Sequence, residues 1–104
     1  MSEAETGLRV EAERGVQLAR SPHEGMDWID IRTGKAYDAI GNFDGKYLDT
    51  DQFLSKLTNH LDKADYVPVD VSQFSAEQRS DIRRFIDTLG NPNVLIVGDY
   101  GSRR

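Results

Sequence analysis

The chain has 104 residues, a net charge of −5 and no cysteine, so one hydrophobic core is expected, in a single domain over 1–104. A disulfide framework and a thiolate metal site are excluded, and a pI near 4.9 argues against a module that holds nucleic acid through charge alone. No apolar run approaches the roughly 18 residues of a membrane span and the polar start, Met1 to Glu5, is no signal peptide, which leaves a cytoplasmic domain or part of a longer secreted or cell-surface protein.

Leu8, Val10 and Ala12 among charges predict a short helix over Thr6 to Arg14, leading into a strand at Val16, Leu18 and Arg20. Ser21 to Gly25 reads as a loop. Met26 to Ile31 and Ala36 to Gly41 are short β-prone runs around a Gly-containing turn, Arg32 to Lys35, the signature of a hairpin. Alternation puts Asp27, Ile29 and Ile31 on one face of its first strand, with Trp28 and Asp30 on the other.

Asn42 to Tyr47 is a turn-rich connection. Its Gly41-Asn42-Phe43-Asp44-Gly45-Lys46 lacks the spacing and following hydroxyl residue of a phosphate loop. Asp49 with Gln52 resembles a capping box opening a helix to Lys63, with Phe53, Leu54, Leu57 and Leu61 as its apolar stripe. Tyr66 to Val71 alternates as a strand. Pro68 lacks the donor a ladder needs, so an edge position or an irregularity is expected there. Ser75 and Gln78 open a second helix presenting Ile82, Phe85, Ile86 and Leu89, which Gly90 and Pro92 stop. The apolar run Val94 to Val97 suits a strand covered on both faces, and residues 99–104 are expected to form a loose tail. The expected fold is α/β (α+β), a mixed sheet in the order α-β-β-β-α-β-α-β.

Three groups of residues can carry chemistry. Glu11 or Glu13 on the first helix, with Asp27 and Asp38 brought together across the hairpin, make a carboxylate cluster. Such groups repel one another unless a cation or a shared proton lies between them, and a hard divalent ion such as magnesium suits these oxygens. Lys56, His60 and Lys63 follow i, i+4, i+7 and share one helix face. Lys56 can hold a phosphate or orient a water, and His60 and Lys63 can track a nucleic-acid backbone. His23 and His60 are the residues from which a metal-free acid–base pair can be built. Each group also has a plainer reading as solvated surface, which spacing alone does not exclude.

The order beginning α-β-β-β-α-β resembles the core of the PD-(D/E)XK (restriction-endonuclease-like) nuclease superfamily. Asp27-Trp28-Ile29-Asp30, Thr33 to Gly41 and Asp65 to Ser72 look like C-terminal nuclease domains of bacterial polymorphic toxins, among them contact-dependent growth-inhibition toxins. The resemblance spans most of residues 6 to 98 on short motifs. It implies a metal held by Glu11 (or Glu13), Asp27 and Asp38. Where the signature has a lysine, two residues after the third acid, this chain has Ile40, and Lys56 is the candidate replacement.

The function expected is therefore a metal-dependent endoribonuclease toxin that cleaves tRNA in target bacteria and is neutralised by a cognate immunity protein. Two alternatives are a non-catalytic acidic binding or immunity-type module, and a metal-independent ribonuclease using His23 and His60.

Overall fold

The computed structural model describes residues 2–22, 26–41 and 43–99. Helix α1 (Ser2–Arg14) begins before the expected Thr6 and stops where the Gly15 N–H bonds the Glu11 carbonyl at 3.0 Å. Its inner side carries Thr6 and Val10, both buried, while Leu8 points outward. Strands β1 (Leu18–Arg20), β2 (Trp28–Asp30) and β3 (Ala36–Tyr37) pair antiparallel in that order, with Arg20 opposite Trp28 and Trp28 opposite Tyr37. The turn between β2 and β3 is closed by Asp30: its carboxylate accepts the Arg32 N–H and its carbonyl the Gly34 N–H, both at 2.8 Å. Trp28 and Asp30 supply the buried face of β2, and Ile31 is left exposed.

The second hairpin strand is not continuous over Ala36 to Gly41 as expected. It breaks after Tyr37, and β4 (Ile40–Gly41) leaves the hairpin to join a second sheet. The cause is local. The Ala39 N–H donates to the Asp27 carboxylate at 2.8 Å instead of to a strand carbonyl, and the Asp38 N–H turns to the Tyr66 carbonyl at 3.1 Å. Beyond a single 3₁₀ turn (Gly45–Tyr47) come α2 (Thr50–Lys63), β5 (Val67–Asp70), α3 (Ala76–Leu89) and β6 (Val94–Val97). The parallel sheet β4-β5-β6 pairs Ile40 with Val69 and Val67 with Val94. Instead of one mixed sheet there are two of three strands each, joined by a parallel bridge between Tyr37 and Tyr66. Their rings stack at 5.1 Å across that junction.

Pro68 corrects the idea of an edge strand, since β5 is the central strand of its sheet. Val67 and Val71 direct their N–H groups to the β6 side, while Tyr66 directs its own to Ala36. Alternation along the strand therefore aims the Pro68 nitrogen at the Asp38–Ala39 break, where no ladder acceptor is needed.

Val67, Val69, Val71 and Val94 meet Phe53, Leu57, Ile82 and Ile86, so α2 and α3 cover one face. Val10 of α1 packs with Trp28, Tyr37 and Val97 in a separate cluster. Leu57 is fully enclosed, and such burial stabilises by about 2 kcal/mol. Asp49 caps α2 by accepting the Gln52 N–H, one half of the expected box, and α3 opens with the reciprocal Ser75–Gln78 box. Gly90 ends α3 with φ +67°, a conformation favouring glycine. Residues 100–104 of the expected tail lie outside the described residues, whereas Asp99 accepts from Arg83 at 2.6 Å.

Candidate active site

Asp27 stands just before β2, where its own N–H bonds the Tyr37 carbonyl at 3.0 Å and extends the hairpin by one residue. Its carboxylate is half-buried and anchors Ala39. Asp38 sits in the break between β3 and β4 and is buried, 6% exposed. Two residues of the α2 stripe turn onto it: His60 Nε2 lies 3.4 Å and Lys63 Nζ 3.5 Å from Asp38 Oδ2. That oxygen is buried and makes no hydrogen bond, and His60 Nδ1 is likewise buried without one.

In front of this group is a cavity of about 280 Å³ walled by Asp27, Lys56, His60, Gly41, Phe43 and Thr6. Lys56, one turn before His60, is exposed at its rim. The position follows from the topology, because the carboxyl ends of parallel strands are left open where the chain turns into a helix. Gly41 fits its place because a Cβ there would stand 2.2 Å from the Asp70 carbonyl oxygen, and its φ is +107°.

Behind the cavity is Asp70, at the end of β5 and fully buried. Its Oδ2 accepts from the Thr6 hydroxyl at 2.7 Å and from Arg9 at 2.8 Å, and its Oδ1 accepts from the Ser72 N–H at 3.0 Å. Burial pushes this carboxyl up, but hydrogen bonds from Ser72 and Thr6 and the Arg9 guanidinium outweigh it and hold the group below its ordinary value. Thr6 and Arg9 both belong to α1, so Asp70 ties the first helix to the wall of the cavity.

The sequence-derived residues are thus only partly gathered. Asp27, Lys56 and His60 line one cavity, and Asp38, His60 and Lys63 meet behind it, with His60 common to both groups. Glu11 does not join them: its carboxylate accepts the Leu18 N–H at 2.9 Å, at the start of β1. Glu13 accepts the Gly98 N–H at 3.0 Å, just past the end of β6. Among the described residues no three His, Asp or Glu side chains come together as metal donors. Asp38 Oδ2 makes no hydrogen bond, and the charges set against it are those of His60 and Lys63. His23 lies outside the described residues. Ile40, where the nuclease signature has its lysine, is buried in the core, and Lys56 reaches the cavity from the neighbouring helix. The Thr6–Arg9–Asp70 network is absent from the sequence-based expectations. The one hint was an aspartate on the side of the chain opposite Val67, Val69 and Val71, and nothing local says that α1 covers that face.

Residues 26–96, more than half of the chain, match the family model described as the CdiA C-terminal tRNase domain. Neither a curated protein nor a solved structure matches. Every residue gathered around the cavity except Thr6 lies within the matched span.

Proposed function

This chain belongs to the CdiA C-terminal tRNase domain family, and from that premise we propose that the cavity beside α2 is where it cuts a phosphodiester bond within tRNA. Membership makes it an RNA-cleaving toxin domain, of the kind carried by a larger cell-surface protein and delivered into target cells. The reading rests on one observation. Asp27, Lys56 and His60 line a single cavity, with the buried Asp38 carboxylate 3.4 Å behind His60.

Asp27 and Asp38 are the residues that would hold a divalent cation, magnesium first, because a hard ion takes oxygen donors and completes its shell with water and phosphate. When bound, that ion supplies charge neutralisation at the phosphate and an acidified water. Lys56 binds a non-bridging phosphate oxygen at the rim, in the role the nuclease signature gives to its lysine. Lys63 and His60 oppose the Asp38 charge and face the incoming backbone. The α1–β1–β2–β3–β4–α2–β5 succession, read with β3 and β4 as one broken strand, supports assignment to the PD-(D/E)XK class, with Lys56 in place of the residue that Ile40 displaces.

A second reading draws on the Asp38–His60 pair itself. A buried carboxylate behind an imidazole fixes the ring. With Nε2 turned to Asp38, Nδ1 is the nitrogen left to take the proton of a ribose 2′-hydroxyl as its oxygen attacks the adjacent phosphate, the P–O5′ bond breaks and the departing 5′-oxygen takes a proton from water. We also propose that a cognate immunity protein covers this cavity in producing cells and meets the acidic domain with basic groups.

Incubation of purified protein with total tRNA, in magnesium or in EDTA, separates these readings. The first expects cleavage in magnesium that EDTA abolishes, and a fall of about 100-fold or more in Asp38→Asn. Cleavage that resists EDTA and disappears in His60→Gln supports the second. Undiminished cleavage by Asp38→Asn removes the cavity from both.

A further inference from the structure

Among the described residues, Tyr47 is the most exposed large apolar side chain, at 70%, yet it does not hang on a loose loop. Its 3₁₀ turn is closed by the Tyr47 N–H to Asp44 carbonyl bond at 3.0 Å and the Leu48 N–H to Gly45 carbonyl bond at 3.0 Å. Gly45 is tied to the α3 region on both sides, donating to the Gln73 carbonyl at 3.2 Å and accepting from the Gln78 side chain at 2.9 Å. An aromatic ring is therefore held outward by a fixed backbone, without core contacts that would account for its presence. Lys46 Nζ lies 5.2 Å from the centre of that ring.

The ring also borders a shallow recess floored by Ile40, Phe43 and Phe53, with Gln52, Lys56 and Asp49, whose carboxylate caps α2, on its sides. Ile40, Phe43 and Lys56 wall the active cavity as well, so the two recesses adjoin. One ring, two lysines and a polar amide next to a phosphodiester-cleaving cavity are the components of a nucleotide subsite. Electrostatics sharpens the point. A chain with net charge −5 has little general attraction for RNA, so affinity must come from local contacts.

We propose that Tyr47 is a stacking platform for an unpaired RNA base next to the scissile phosphate, and that the domain consequently cuts single-stranded segments of its substrate rather than a duplex. Bases inside a helix have their faces covered by neighbours, whereas a splayed base offers one to an aromatic ring. Lys46 and Lys56 then hold the phosphates on either side. The inference rests on the cavity being the cleavage site, and its test is separable from that assignment.

The probe is a single-stranded DNA hexamer carrying 2-aminopurine, bound to the whole domain in EDTA, where neither a metal-dependent nor a 2′-hydroxyl route can cut it. Stacking quenches the probe on the wild-type protein. Tyr47→Ala is expected to weaken binding about fivefold or more and abolish quenching, while Tyr47→Phe stays within about twofold. Base-paired probe should bind equally to wild type and Tyr47→Ala. Tyr47 is largely outside the core, so unchanged thermal midpoints are expected for both variants. Absent quenching on wild type, or equal quenching on Tyr47→Ala, overturns the platform. Cleavage of tRNA by Asp38→Asn is scored separately: its persistence removes the cavity, whereas its loss with an indifferent Tyr47 removes only the platform.

Discussion

Replacing Asp70 by asparagine probes the link between the first helix and the rest of the domain. The side chain is fully enclosed, with Thr6 and Arg9 donating to one oxygen and the Ser72 N–H to the other. An amide of the same shape has only one acceptor oxygen. Whichever way it turns, its NH2 meets a donor, so at least one buried donor loses its partner, at about 1–3 kcal/mol. The weakened attraction to Arg9 adds about 1 kcal/mol, discounted because the Arg9 side chain is 25% exposed to solvent. The sum is about 2–4 kcal/mol, a fall of about 10–25 °C in the melting temperature for a domain of this size.

The reporter is intrinsic. Trp28 is the single tryptophan, is buried, and lies so close to α1 that a Cβ on Gly7 would stand 3.0 Å from its ring. Urea titration followed by its fluorescence measures both proteins. The pH dependence gives a second check. The folded Asp70 carboxyl is held below its ordinary value of 3.8, so the unfolded chain binds its proton first as pH falls. The stabilisation is complete well above that ordinary value and is lost as pH drops toward the folded one. The gap between wild type and Asp70→Asn should be constant near neutrality and narrow below about pH 4. A gap under about 0.5 kcal/mol at pH 7, or one that is the same at acid pH, refutes the account of the network.

Two further substitutions test the frame around the cavity. Gly41→Ala places a methyl against the Asp70 carbonyl at a backbone angle unsuited to alanine, and thermal unfolding should show a loss of about 3 kcal/mol or more. Ser75→Ala removes the reciprocal cap of α3, and a urea midpoint reduced by the equivalent of about 1 kcal/mol with an unchanged slope is expected.

The helices and their inner faces were legible in the chain because each signal is local. Apolar spacing in Phe53, Leu57, Ile82 and Ile86 and the caps at Asp49 and Ser75 act within one or two turns. The grouping of Lys56, His60 and Lys63 was legible for the same reason, since helical spacing fixes it. The expectation that Glu11 joins Asp27 and Asp38 failed to gather those three carboxylates, because helix periodicity does not set how α1 rotates over the sheet. In the fold α1 turns Thr6 and Arg9 toward Asp70 and spends Glu11 on the Leu18 N–H.

What the amino-acid order determined alone was a cysteine-free α/β chain, its helices, and a hairpin carrying two aspartates. The tertiary structure decided where the hairpin strand breaks, since the Asp27 carboxylate captures Ala39 and releases β4 to pair with β5. It also decided which charges meet, placing Asp38 beneath His60 and Lys63 and Asp70 beneath α1. Periodicity assigns a residue to a face. Only packing determines what that face is pressed against.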